Sequence, residues 1–200
     1  MLVNQLELSS LDCFLLVSNA VEGEQLINAV AQLSGENKKS VYSHWGVTGG
    51  GFHNRVDFAT RARVDLKILQ TCFSFVSGSE TELSRQVFAT ASTLFSEDIK
   101  LPSDIKAPTG FVHGYDVSRL FLAAAESVRL TDSSIDNRRN LKLALESLEP
   151  SVEGLIKTYS SPFSEFTSDN MRAHEALEID DYCIGQYDQS NVMRIVQQGE

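Results

Sequence analysis

Apolar positions follow two different periods over the first third of the chain. The run from Asp12 to Ser18 is short and apolar throughout, which is typical of a strand buried on both faces of a parallel sheet. From Ala20 to Leu33 the apolar residues recur at helical spacing, and a second short strand is predicted from Ser40 to Ser43. Strand, helix and strand with brief connections predict a right-handed βαβ unit.

Helical periodicity dominates the middle of the chain. A short helix is predicted within residues 52–64 and a third strand over 66–76. Helices are then predicted over 79–95, where Ser79 and Glu82 have capping-box spacing, and over 110–129.

One more helix is predicted from Asn140 to Leu148, with Asp136 as an alternative N-cap that would start it earlier. Asp116 is expected to serve as an acidic charge or cap at a helix N-terminus.

After Pro150 the pattern changes to the alternation of antiparallel strands that are half exposed to water. Such strands are predicted over 154–159, 182–187 and 192–196, with a hairpin turn at 189–191 between the last two. The helices between Ser79 and Leu148 therefore carry apolar stripes without strands among them. We expect these stripes to be exposed or to recruit a partner.

Composition and charge limit the classes of function. The 200 residues are 42% hydrophobic and 22% charged, with a formal net charge of -10, and the pI is near 4.9. Such an acidic chain is not expected to bind nucleic acid, because phosphate binding needs a basic surface.

No apolar run approaches the ~20 residues that span a bilayer. The first five residues lack the basic start of a signal peptide, and the acidic Glu7 follows. The chain as written is therefore expected not to direct its own export, so that it is either cytoplasmic or a fragment of a longer protein.

The three cysteines, Cys13, Cys72 and Cys183, all lie in apolar, strand-like contexts. We expect them to be buried free thiols. No cysteine or histidine lies at metal-ligand spacing from another, so no metal site is predicted. No nucleophile elbow or other catalytic grouping is present, and we expect neither an enzyme nor a cofactor.

The order of segments resembles the C-terminal half of type I periplasmic solute-binding proteins, the branched-chain amino acid binding class of ABC transporters. The resemblance is carried in chain order by LDCFLLVSNAVEGEQLINAVAQL, KKSVYSHWGVTGGGF, LKILQTCFSF, GFVHGYDVSRLFLAAAES, VEGLIKTYSSPFSEFTSDNM and YCIGQYDQSNVMRIV.

This resemblance implies an α/β fold of the type I periplasmic-binding-protein kind. It would have a parallel sheet with flanking helices and a C-terminal β-ribbon, and it would lack most of the N-terminal lobe. Residues 1–76 would form the first part of lobe two, residues 77–150 the lobe-one helices and hinge side, and residues 151–200 the closing ribbon of lobe two.

The resemblance also implies that the loops after the first two strands face a ligand cleft, since ligands in open α/β sheets bind beyond the carboxyl ends of strands. The predicted ligand-binding residues are Ser18, Asn19, Ala20, Ser43, His44, Trp45 and Gly46.

Each of these residues also has a purely structural interpretation. Ser18 or Asn19 would then cap the following helix, His44 would be a structural histidine, and Trp45 a core or hinge anchor.

The functional hypothesis that follows is an extracytoplasmic solute-binding protein fragment. It would bind an amino acid, an amide or a small carboxylate in an interlobe cleft, for the membrane permease of an ABC-type importer. Alternatives are a ligand-sensing domain of a histidine kinase or cyclase, and a truncated product that binds no ligand. The chain is expected to be periplasmic or extracellular by resemblance, and it could form homo-oligomers through exposed lobe-one helices.

Overall fold

The structure is a computed structural model that describes residues 11–33, 38–76, 81–105 and 107–196. The described strands are β1 (Cys13–Leu16), β2 (Ser40–His44), β3 (Lys67–Thr71), β4 (Val152–Glu153), β5 (Thr158–Tyr159), β6 (Tyr182–Tyr187) and β7 (Met193–Val196). The described α-helices are α1 (Ala20–Ala31), α2 (Phe52–Arg55), α3 (Phe58–Arg63), α4 (Glu82–Leu94), α5 (Pro108–Glu126) and α6 (Ser134–Glu146). Short 3₁₀ turns cover Trp45–Thr48, Pro102–Asp104 and Ile179–Asp181.

The chain divides into two units. The first unit runs up to Gly110 and resumes at Tyr182, and the second unit is the continuous segment Phe111–Asp181. Both ends of the second unit lie further along the chain than those of the predicted segment 77–150. The assignment of either unit to a lobe remains a prediction.

The first unit is built on one mixed sheet with the strand order β1-β2-β3-β6-β7. β1, β2 and β3 are parallel neighbours, as the predicted βαβ unit requires, whereas β6 runs antiparallel to β3 and β7 antiparallel to β6. The predicted hairpin turn between β6 and β7 is confirmed, and Asp188 holds it by accepting backbone hydrogen bonds from Ser190 (2.8 Å) and Val192 (3.0 Å).

The main core lies on one face of this sheet. Phe14, Leu16, Val41 and Ile68 point from the strands into a cluster that also contains Ile27 of α1. The remaining buried members of the cluster are Ala20, Val30, Leu33, Val47, Phe52, Val56, Val64, Leu66 and Met193.

The opposite face is open at β1. Leu15 and Val17 are each 81% exposed and Leu69 on β3 is 41% exposed. The expectation that the first strand is buried on both faces is therefore wrong. β1 is an edge strand, and only its alternate residues Phe14 and Leu16 are covered.

The expectation of three free thiols is also wrong, because Cys72 and Cys183 form a disulfide. The antiparallel register pairs Gln70 with Cys183 and Thr71 with Tyr182, so the end of β3 lies beside the start of β6. The two Cα atoms are 4.8 Å apart, within the range that a disulfide requires. Cys13 is a free cysteine and is only half-buried.

The second unit is organised around Asp116, which is 2% exposed and lies inside α5. Its carboxylate accepts hydrogen bonds from the backbone N–H groups of Leu155 (2.6 Å) and Ile156 (3.0 Å) and from the hydroxyl of Tyr159 (2.8 Å). The expectation that Asp116 caps a helix N-terminus is wrong, because the helix begins at Pro108.

Several element boundaries differ from the predicted ones. Residues 52–64 form two short helices, separated where Asp57 accepts a capping hydrogen bond from Thr60 N at 2.7 Å. α6 begins after the N-cap Ser133, earlier than either predicted start. α4 begins after Thr81, which forms a capping box with Ser84; the proposed cap at Ser79 lies outside the described residues.

The predicted ribbon over 151–200 is divided between two sheets. β4 and β5 pair with each other in a separate two-stranded sheet, whereas β6 and β7 complete the sheet of the first unit. The predicted strand over 154–159 is reduced to Thr158–Tyr159.

Candidate functional site

The loops that follow β1 and β2 leave the sheet at the same edge. The two strands are parallel, and Leu16 lies opposite Ser43 at their carboxyl ends. The buried Ser43 hydroxyl donates a hydrogen bond to the carbonyl of Leu16 at 3.1 Å. Ser43 therefore fixes the two strand ends to each other, and its hydroxyl is committed to the backbone.

The second loop is a single 3₁₀ turn that is capped from within. His44 Nδ1 accepts a hydrogen bond from Gly46 N at 2.6 Å. Thr48 Oγ1 donates to the carbonyl of Trp45 at 2.7 Å at the other end of the turn. Because Nδ1 accepts, a neutral His44 carries its proton on Nε2, which makes that nitrogen a donor.

Gly46 is the point at which the two loops meet. A Cβ added to Gly46 would collide with the carbonyl oxygen of Ser18 and with the imidazole of His44. The close approach therefore requires glycine at this position. Of the predicted residues, Ser18 and His44 both lie directly against Gly46.

The first loop opens α1 without a side-chain cap. Asn19 occupies the N-cap position with an extended backbone, and its exposed side chain makes no capping hydrogen bond. The hydroxyl of Ser18 is buried and has no hydrogen-bond partner among the described residues. Ala20 is 5% exposed and belongs to the core, so Asn19 is the residue of this loop whose side chain is exposed.

Trp45 projects outward from the second loop. It is 40% exposed, so the alternative that it is a core anchor does not hold. Its ring lies 5.7 Å from the imidazole of His44 at an interplanar angle of 45°. Together the loops offer an aromatic surface at Trp45, a ring N–H at His44 and an amide at Asn19. This combination suits a small organic ligand with a polar and an apolar part.

A cavity of the first unit lies elsewhere. It measures about 350 Å³, and its polar walls include Thr48, His53, Ser74, Asp104 and Asn191. None of the seven predicted residues lines it. The predicted set therefore lies outside this cavity.

Arg61 is only 3% exposed and is not among the residues predicted from the sequence. Its guanidinium carbon lies 4.9 Å from the centre of the Tyr187 ring. One feature of the sequence indicates its burial. Arg61 lies three residues after Phe58, so the two residues share a helix face that carries an apolar side chain.

Within the described ranges of the chain, no three His, Cys, Asp or Glu side chains lie together so that they could hold a metal ion. No helix in the described part of the chain is long and apolar enough to cross a membrane.

Comparison with known proteins gives a structural likeness. No protein-family model matches the chain, and no curated protein matches its sequence. A solved structure is similar over 98% of this chain, with a TM-score of 0.60 and 14% identity. It is the branched-chain amino acid transporter substrate binding protein LivJ from Streptococcus pneumoniae, in complex with isoleucine.

The likeness shows the fold. This chain has an α/β fold of the type I periplasmic-binding-protein kind, with a parallel-rich sheet and flanking helices. It spans 47% of the length of the LivJ structure.

Proposed function

We propose that this chain is part of a solute-binding protein that takes up a small organic ligand at the loops after β1 and β2. The ligand class is an amino acid, an amide or a small carboxylate. Asn19 and the Nε2–H of His44 bind its polar end, and Trp45 covers its apolar part. Ser18, Ala20, Ser43 and Gly46 set the geometry of the two loops.

One observation carries the proposal. The two loops are held in contact at Gly46 and Ser18, yet Trp45 remains 40% exposed beside them. A large aromatic side chain on a hydrogen-bonded turn can bind a ligand at a small entropic cost, because it loses little conformational freedom when the ligand binds.

The fold supports a wider role. A binding protein of this kind delivers its ligand to the membrane permease of an ABC-type importer, and we propose this role for the whole protein. The disulfide between Cys72 and Cys183 supports an extracytoplasmic location, because disulfides persist in oxidising compartments.

The decisive test is a titration of the chain with amino acids, amides and short carboxylates. The chain contains one tryptophan, so its emission reports directly on the proposed loop. We expect a saturable change in Trp45 emission and a rise in Tm with the same ligand, since binding to the folded state stabilises it.

Two alanine variants locate the site. We expect Trp45→Ala to abolish the ligand-dependent rise in Tm. Phe95→Ala removes another aromatic side chain, 54% exposed in the same unit, and should leave that rise unchanged. The proposal fails if no ligand of the panel changes the emission, or if both variants respond to the ligand like the original chain.

A further inference from the structure

Arg61 is a buried cation held by neutral groups. Its Nη1 donates hydrogen bonds to the carbonyls of His53 (3.1 Å) and Val56, and its Nη2 donates to Oδ1 of Asn191. The Nε–H is buried and has no hydrogen-bond partner among the described residues. A guanidinium has five N–H donors, so the Nε–H and one Nη2–H remain without a described acceptor.

No described carboxylate forms an ion pair with Arg61, and the nearby acidic residues are engaged elsewhere. Asp57 accepts the capping hydrogen bond of α3 from Thr60 N. Asp188 accepts from the backbone of its own turn and pairs with Arg194 Nε at 2.6 Å. Asp57 and Asp188 offset part of the cost of this burial electrostatically, but neither pairs with the guanidinium. A buried charge without a contacting counter-charge is costly, so an anion that reached Arg61 would be bound favourably.

A cavity of about 260 Å³ adjoins this cation. Besides Arg61, its walls are apolar at Phe58, Ala62 and Leu66 and polar at Asp65, Gln186 and Tyr187.

Asp65 does not neutralise Arg61, although it lines the same cavity. Its carboxylate pairs with Lys67 Nζ at 2.8 Å. It also accepts hydrogen bonds from Ser40 Oγ (2.8 Å) and Gln186 Nε2 (3.2 Å). The charges of Asp65 and Lys67 cancel, so the positive charge of Arg61 is not neutralised by Asp65.

We propose that this cavity binds a small monocarboxylate through the guanidinium of Arg61, whose Nε–H and remaining Nη2–H have no described acceptor. A guanidinium edge suits the two oxygens of one carboxylate. The three apolar walls suit a short hydrocarbon tail, which favours a carboxylic acid over inorganic phosphate. This site is separate from the loops at Trp45, which line no part of the cavity.

The test uses the intact chain and propionate as the probe. The Tm is measured in sodium propionate, in sodium chloride and in propylammonium chloride at equal ionic strength. We expect propionate alone to raise the Tm, by about 5 °C at concentrations well above its Kd. Equal Tm values in propionate and chloride would overturn the proposal.

A charged variant of the cavity wall makes the test specific. Ala62 is exposed, so Ala62→Glu and its uncharged match Ala62→Gln should both fold. We expect Ala62→Glu to supply a carboxylate in place of propionate. Its Tm should therefore exceed that of Ala62→Gln and should not respond to propionate, whereas Ala62→Gln should respond. The same response in both variants would overturn the proposal.

The proposals for the two sites can be tested independently of each other. Ala62→Glu should leave the ligand titration of Trp45 emission unchanged. Trp45→Ala should keep the propionate-dependent rise in Tm. Loss of that rise in Trp45→Ala would assign carboxylate binding to the loops and overturn the separate site.

Discussion

The two units of the chain are stabilised by different means. The first unit has an aliphatic core in which Ile27, Leu33, Val41 and Ile68 have no exposed surface. The second unit has a smaller cluster of buried residues, Leu120, Ala124, Leu148, Val152 and Tyr159. There the buried carboxylate of Asp116 joins α5 to the segment around β5 by three hydrogen bonds.

This difference determines which substitutions should destabilise each unit most. The stabilisation from an aliphatic core is spread over many contacts. Truncation of one side chain therefore removes only part of it. A buried carboxylate that satisfies three donors concentrates stabilisation in one side chain, because each donor left unsatisfied costs free energy.

The largest effect is expected in the second unit. Asp116→Ala would leave the N–H groups of Leu155 and Ile156 and the hydroxyl of Tyr159 without their acceptor. We expect a loss of about 4 kcal/mol in the free energy of unfolding of this unit. Hydrogen exchange over residues 111–181 measures it, and the exchange of β1–β3 should change little.

Gly154→Ala sharpens this prediction without removing the carboxylate. A Cβ at residue 154 would lie 2.7 Å from Cγ of Asp116 and 2.6 Å from Cε2 of Tyr159. It should therefore weaken the same hydrogen bonds. Normal exchange protection of the second unit in both variants would contradict the central role of Asp116.

In the first unit, Ile68→Ala should lower the free energy of unfolding by about 3 kcal/mol, because it leaves a cavity in the aliphatic core. Denaturant unfolding followed by Trp45 emission reports on this unit. The neighbouring Leu69 on the same strand is 41% exposed. Leu69→Ala is the matched control and should cost well under half as much. Equal losses would mean that the open face of the sheet is covered in solution.

Removal of the disulfide should have a somewhat smaller effect, again in the first unit. We expect the double variant Cys72→Ala/Cys183→Ala to lose about 2 kcal/mol, chiefly because its unfolded chain is less constrained. Cys13→Ala, which removes the free cysteine, is the control. Thiol titration of the unfolded chain should find one reactive thiol without reductant and three with it. Three thiols without reductant would contradict the disulfide.

The smallest effect concerns acid stability. Burial alone would raise the pKa of Asp65, but hydrogen bonds from Lys67 and Ser40 outweigh it and lower that pKa below its ordinary value. The folded state thus keeps Asp65 ionised at a pH where the unfolded chain protonates it. The ionised Asp65 stabilises the folded state fully above the pKa of about 3.9 that it has in the unfolded chain. This stabilisation is lost as the pH falls through the pKa of Asp65 in the folded state.

Asp65→Asn should therefore flatten the acid limb of the stability curve of the first unit. Unfolding by denaturant between neutral pH and pH 3 measures the slope. Asp12→Asn, an exposed aspartate outside this hydrogen-bond network, is the control. An unchanged slope in Asp65→Asn would show that Asp65 contributes nothing to acid stability.

The sequence predicted what depends on local periodicity. The strands at β1, β2 and β3 and the helix α1 follow from apolar spacing, and the βαβ reading places the loops after β1 and β2 at one edge of the sheet. The exposure of Trp45 did not follow, because a single aromatic residue has no period that distinguishes core from surface.

Contacts between residues far apart in the chain could not be predicted from the sequence. Cys72 and Cys183 are 111 residues apart, and only the register of β3 with β6 brings them together. Asp116 is predicted to be a helix cap or N-terminal charge because it comes before the clearest helical pattern, whereas the donors that bind its carboxylate lie 39 to 43 residues away. Arg61 escaped for the same reason, since Asn191 is 130 residues distant.

The division of the first unit into two stretches of chain has a consequence for biosynthesis. Its central strand β3 pairs with β6, which the ribosome produces only after the whole of Phe111–Asp181. The second unit is one uninterrupted stretch and can fold as it emerges. During translation β3 therefore keeps one edge unpaired and the Cys72 thiol free until β6 and β7 have been synthesised. In this interval it can bind chaperones or pair with the wrong strand.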